Sequence, residues 1–201
     1  MVIGTLESDR KAAETRRFLP SRNIVVVGLM GAGKTKVGRR LAARLGLRFS
    51  DSDQEIEAAA GESIEEIFAN RGERAFREGE RRVIARLLAQ PVHVLATGGG
   101  AFMDPLTRAL IARRGVSLWL RADLDVLVSR VSRRNNRPLL KGGDPRAILG
   151  ELMERRHPIY AKADVVVDSS DGSPEATVVR ALAALAACPL ATTPPDGEDR
   201  E

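Results

Sequence analysis

Gly28, Gly33, Lys34 and Thr35 stand in the segment GLMGAGKT at the spacing G-x-x-x-x-G-K-[ST]. The missing side chains at Gly28, Gly31 and Gly33 let consecutive backbone N–H groups curl round phosphate oxygens. The helix start behind them adds about half a positive charge. The lysine then meets the β- and γ-phosphates of a nucleotide, and the threonine hydroxyl offers an oxygen to Mg2+. The plain alternative is a glycine turn that happens to precede a lysine. Against it, three valines lead into the segment, and Val37, Leu41 and Leu45 follow at the spacing of one helical face. Gly28, Gly31, Ala32, Gly33, Lys34, Thr35 and Lys36 are therefore the candidate ATP contacts on this loop.

Two further clusters bear on what receives the phosphate. In FSDSDQEIE, Asp51 and Asp53 lie two residues apart. Extended chain puts residues i and i+2 on one side, and ligands of open α/β sheets gather beyond the strands' carboxyl ends. On that reading one carboxylate holds a metal-bound water and the other a substrate hydroxyl. The same residues suit a cap for the helix QEIEAAAG, the simpler reading of this stretch alone. Gly98, Gly99 and Gly100 close the run VHVLAT. Three adjacent glycines cost backbone entropy, so they mark either a close approach of another group or a plain turn before Asp104-Pro105.

Positioning these residues requires a scaffold. Four short apolar runs read as strands: IVVV from Ile24, VHVLAT from Val92, VSLWL from Val116 and VVV from Val165, with LRF from Leu47 as a weaker fifth. Helix-start signals fall between them at Ser63 to Glu66, Asp104-Pro105, Asp123 and Ser173-Pro174-Glu175. Strands that are apolar throughout and alternate with helices predict an α/β fold with a parallel sheet covered on both faces. The segment SRRNNRPLLKGGDP, about residues 132–145, has a loop's composition and the length of a cover. Residues 1–22 read as a flexible N-terminal extension and 187–201 as a flexible tail, leaving one domain at 23–186.

The chain has 201 residues, a net charge of +5 and a pI near 10.0, a balance that favours anionic partners. Aromatics are only 3% and the arginines are dispersed, which argues for phosphorylated small molecules and against nucleic acid. No apolar stretch reaches membrane-spanning length. The single cysteine, Cys188, cannot form an internal disulfide. The expectation is a cytoplasmic protein with no membrane role.

Taken in order, GLMGAGKT, DSDQEIE, AFREGE, ATGGG, NNRPLL and RRHPIY resemble shikimate kinase over about residues 23–186. The resemblance implies a P-loop NTPase three-layer sandwich of the nucleoside-monophosphate-kinase type, with a five-stranded parallel sheet and a mobile lid. It implies transfer of the ATP γ-phosphate to the 3-hydroxyl of shikimate, giving shikimate 3-phosphate and ADP on the route to chorismate and aromatic amino acids. One Mg2+ per subunit and a monomer are expected with it.

Residue by residue, the resemblance makes Lys34, Asp53 and Arg137 catalytic, with Arg137 the lid arginine on the moving phosphate. Thr35 and Asp51 match the Mg2+ site. Asp53, Arg77, Glu80, Gly98, Gly99, Gly100 and Arg156 match the substrate site, with the two arginines on the carboxylate and Glu80 orienting Arg77. Arg130, Gly172 and Pro174 match the adenine side. There the sequence departs from the pattern: SSDGSP has acids and glycine where relatives often carry a basic residue. Three rivals stay open at this stage: a kinase for another polyol acid such as gluconate, a nucleoside-monophosphate kinase, and a nucleotide-binding regulator without turnover.

Overall fold

A computed structural model of the chain describes residues 20–132, 143–170 and 172–195. Five strands, β1 (Asn23–Val27), β2 (Arg48–Asp51), β3 (His93–Ala96), β4 (Gly115–Arg121) and β5 (Val165–Asp168), form one sheet in the order β2-β3-β1-β4-β5. Every neighbouring pair is parallel. The described residues include eight helices: α1 (Lys34–Leu45), α2 (Ser52–Ala60), α3 (Ile64–Leu88), α4 (Pro105–Arg114), α5 (Leu124–Ser132) and α6 (Pro145–Tyr160) in the crossovers, and α7 (Pro174–Ala186) and α8 (Pro189–Thr192) after β5. A 3-10 turn spans Ala101–Met103.

Strand order places the functional loops. The connection leaving β1 runs to β2 on one flank, whereas the one leaving its neighbour β4 runs to β5 on the other, so the direction of connection reverses between these adjacent strands. Ligand crevices in open α/β sheets form at such reversals, beyond the carboxyl ends. The loop after β1 occupies that position.

The expected burial holds for β1 and β3 and for all of β4 except its last residue, although each strand also buries one polar side chain, Asn23, His93 and Ser117 respectively. It fails at the edges. β2 is exposed or half-exposed along its length, and β5 alternates buried and exposed residues. An edge strand has a neighbour on one side only, so helices need not cover it fully.

Three of the helix-start signals become real caps. Ser63 and Glu66 form a reciprocal capping box on α3, while Asp104 and Ser173 cap α4 and α7, each followed by proline. α3 also carries a kink that sequence spacing did not reveal, at Gly72 (φ 75°, ψ 170°).

The expected domain limits at 23 and 186 need correction. Arg22, assigned to the N-terminal extension, is 6% exposed. Its guanidinium donates to Thr193 O (2.9 Å), Pro194 O (3.0 Å), Ala112 O (3.2 Å) and Arg113 O (3.3 Å). Ser21 N donates to Ala191 O at 2.9 Å, and Ala191 on α8 is fully buried. Packed chain thus continues past 186, because the carbonyls at the C-terminal end of α4 need donors and Arg22 supplies them. Most of the expected cover at 132–145, including Arg137, lies outside the described residues.

Candidate active site

The loop between β1 and α1 adopts a shape that only this glycine spacing permits. Gly28 sits at φ 139°, and a Cβ there would stand 2.7 Å from the carbonyl oxygen of Leu120. Gly33, at φ 92°, precedes α1 without any side-chain cap. The α1 N-terminus is therefore not closed by a side chain, the condition for binding an anion. Lys34 Nζ reaches back over the loop to Gly28 O at 2.8 Å and Leu29 O at 3.0 Å. Leu29 and Ala32 are buried and anchor the curl. Lys36 is exposed on the first turn of α1.

Thr35 Oγ1 donates to Asp51 Oδ2 at 2.8 Å, and Asp51 Oδ1 accepts the N–H of Asp53 at 3.1 Å. Asp51 therefore caps α2, as the simpler reading expects, while its other oxygen faces the phosphate loop. The extended-chain argument for Asp53 fails, because helix begins at Ser52. Asp53 and Asp51 diverge, one toward the triglycine turn and the other toward Thr35. A hydroxyl and a carboxylate in hydrogen-bond contact supply hard oxygen donors of the kind Mg2+ uses together with phosphate and water. Among the described residues no group of three or more His, Cys, Asp or Glu forms a full protein cage for a metal.

The triglycine turn is a close-approach site. A Cβ on Gly98 would lie 2.6 Å from Asp53 Oδ1 and 3.0 Å from Glu80 Oε1. One on Gly100 would lie 2.5 Å from Arg77 Nη2 and 2.6 Å from Nη1. A Cβ on Gly99 would stand 3.6 Å from each of Arg156 Nη1, Gly28 O and Met30 N. A side chain on the three glycines would thus meet, in turn, the two acids, the second arginine with the phosphate loop, and the first arginine.

Arg77 and Glu80, one turn apart on α3, pair through Nη1 and Oε2 at 2.7 Å. Burial pushes the Glu80 carboxyl above its ordinary range, and the Arg77 charge opposes that rise. Glu80 is 2% exposed, and its Oε1 has no hydrogen-bond partner among the described residues. Arg77 also touches Glu73, at 3.2 Å. Arg156 on α6 donates to Gly99 O at 3.1 Å.

On the far side of the loop, Arg130 of α5 donates to Ser169 Oγ at 2.9 Å, to Gly31 O at 3.4 Å and to Ser170 O. Pro174 opens α7, and Gly172 lies just before it. The structure brings Arg130 to the phosphate loop and to the segment after β5. Arg137 cannot be placed, being outside the described residues.

Three residues that sequence reasoning did not single out hold this arrangement together. Ser52, fully buried, accepts the Gly98 N–H at 3.0 Å. Ser169, 2% exposed, donates to Ala32 O at 2.8 Å. Tyr160, fully buried, donates to Gly99 O. Nothing in the spacing of single serines marks them, because their partners lie far away in the chain. Only Tyr160 carried a signal, as part of RRHPIY.

A sequence model of the shikimate kinase family matches residues 30–186. A shikimate kinase of Paramagnetospirillum magneticum is 65% identical over 164 residues, 82% of this chain and 84% of the relative. One from Caulobacter vibrioides is 60% identical over 164 residues, 82% of each chain. Among solved structures, shikimate kinase from Acinetobacter baumannii in complex with shikimate superposes with TM-score 0.81 at 37% identity, covering 89% of this chain and 99% of that one. A gluconokinase from Sinorhizobium meliloti, at 23% identity and TM-score 0.60, shares the fold.

Proposed function

This chain belongs to the shikimate kinase family, and from that premise we propose that it transfers the γ-phosphate of ATP to the 3-hydroxyl of shikimate. Gly99 is the observation that carries the reading: its carbonyl accepts from Arg156, and a Cβ on it would stand 3.6 Å from Gly28 O and Met30 N of the phosphate loop. An acceptor held by its acid group at the triglycine turn therefore lies beside the phosphates.

Shikimate is a ring acid with three hydroxyls. Arg77 and Arg156 receive the carboxylate, a planar anion suited to guanidinium forks. Asp53, beside Gly98, takes the reacting hydroxyl as hydrogen-bond acceptor and orients its oxygen toward the γ-phosphorus. A bond forms between that oxygen and phosphorus while the bond to the β-γ bridging oxygen breaks. The hydroxyl proton passes toward Asp53, and ADP leaves with the bridging oxygen. Lys34 turns its ammonium from the loop carbonyls to the β- and γ-phosphates. Arg137, by family resemblance, adds a second cation at the moving phosphoryl group. Positioning and charge stabilisation account for most of the rate enhancement in such transfers.

Thr35 and Asp51 would hold one Mg2+ per subunit. When bound, it neutralises charge on the phosphate oxygens. Arg130, Gly172 and Pro174 would flank the adenine. Among the described residues no helix is long and apolar enough to cross a membrane. We place the enzyme in the cytoplasm as a monomer.

Coupled ADP release with shikimate, gluconate and nucleoside monophosphates as acceptors tests the reading. Shikimate should support turnover with kcat/KM at least about a hundredfold above the others, because buried polar groups left unpaired penalise the wrong acceptor. Preference for gluconate or a monophosphate would refute it. Binding of ATP and shikimate without product would instead indicate a regulator.

A further inference from the structure

We propose that Tyr160 is a positioning residue for the acid end of the substrate. Its hydroxyl fixes the carbonyl of Gly99, and that carbonyl sets the direction in which Arg156 points. The inference rests on the assignment of Arg156 to the shikimate carboxylate.

Gly99 O accepts two hydrogen bonds, from Tyr160 Oη and from Arg156 Nη1 at 3.1 Å. Both donors come from α6, one turn apart, so the carbonyl sits between them like a peg. A carbonyl oxygen has two lone pairs. With one held by the tyrosine, the guanidinium is confined to the other, and its remaining N–H groups have a defined heading. An arginine carries considerable rotamer freedom, which this second anchor removes before substrate arrives.

The tyrosine itself has no latitude. It is fully buried and stacks on both Phe102 (centroids 6.2 Å apart) and Trp119 (5.8 Å). Phe102 belongs to the 3-10 turn that directly follows the three glycines. Trp119 lies under the phosphate loop, its Cδ1 3.4 Å from where a Gly28 Cβ would be. The ring is thus packed against residues next to the triglycine turn and next to the phosphate loop, and its hydroxyl reaches Gly99 O. Burial pushes the phenol up to about 12, so it stays a donor throughout the neutral range.

A tyrosine conserving only core packing and one that positions Arg156 predict different kinetics. Tyr160→Phe keeps the ring between its neighbours and deletes one hydroxyl. Losing one hydrogen bond that orders the arginine should raise KM for shikimate roughly three- to tenfold. The KM for ATP should stay within about twofold, as should kcat, since Lys34 and the phosphate loop are untouched. Leu185→Val, a cavity variant in fully buried Leu185 on α7, serves as the stability control: a similar fall in melting temperature with an unchanged shikimate KM.

A second readout needs no variant. Tyr160 is the chain's single tyrosine, so growth on 3-fluorotyrosine yields one 19F resonance, which should shift when shikimate is added. A wild-type shikimate KM in Tyr160→Phe, or a resonance indifferent to shikimate, overturns the inference while leaving the kinase reading intact. Failure of the wild-type enzyme to phosphorylate shikimate overturns both.

Discussion

Gly100→Ala is the substitution whose consequence follows most directly from the geometry. The backbone at Gly100 has φ −96° and ψ −18°, which alanine adopts without strain. The added methyl, however, would sit 2.5, 2.6 and 2.7 Å from Nη2, Nη1 and Cζ of Arg77. Ordinary non-bonded contact needs about 3.5 Å, so the guanidinium must retreat by about 1 Å. That motion stretches the 2.7 Å bond to Glu80 beyond hydrogen-bond range. It also draws one arm of the carboxylate cup away from the substrate. A hydrogen bond to a charged group contributes about 1.5–3 kcal/mol, so KM for shikimate should rise roughly ten- to a hundredfold.

The ATP side should not respond, because the three nearest atoms to the added methyl all belong to Arg77 and none to the phosphate loop. The fold should tolerate the change, since the displaced group is the end of a flexible side chain that is 27% exposed. Steady-state ADP release with each substrate varied in turn is the assay. Gly79→Ala is the control: a Cβ there meets nothing within 4 Å, and alanine in mid-helix adds up to about 1 kcal/mol of stability. A shikimate KM within twofold of wild type in Gly100→Ala would show that Arg77 does not hold the substrate's acid group.

Three further outcomes are expected. Asp51→Asn keeps the α2 cap but removes the charge facing Thr35, so the Mg2+ concentration for half-maximal ADP release should rise about tenfold, and an unchanged Mg2+ titration would exclude Asp51 from the metal site. His93 is fully buried with Nε2 lacking a hydrogen-bond partner among the described residues, and burial, aided by Arg48, holds its imidazole below the ordinary 6.5. Above pH 6.5 neither state binds the proton, whereas below it the unfolded chain takes up a proton that the folded chain resists. Melting temperature should therefore drop between pH 7 and 5.5, and His93→Gln should shrink that drop; an equal drop in the variant would refute the assignment. Arg22→Ala strips donors from four carbonyls and should cost about 2–4 kcal/mol, read as a fall of about 5–15 °C in melting temperature with both KM values unchanged.

The sequence by itself determined the scaffold and the phosphate loop. Valine-rich runs alternating with capped helices leave a covered parallel sheet as the one way to bury those runs, and GLMGAGKT encodes its own bend within eight residues. The proline-marked caps at Asp104 and Ser173 are equally local, as is the Ser63–Glu66 box. Edge exposure at β2 and β5 was hidden, because a strand's place in the sheet depends on pairing and not on its own residues. The packed ends were hidden for the same reason: Arg22 reads as one more charged residue until α4 and the segment after α8 meet it.

Tertiary structure alone decided how the triglycine turn and the phosphate loop are braced. Ser52 bonds to Gly98 across 46 residues, Tyr160 to Gly99 across 61 and Ser169 to Ala32 across 137. No periodicity or local propensity encodes such pairs. Each arises because parallel strands deliver every loop to the same end of the sheet. There the chain's polar groups must satisfy one another or await a ligand.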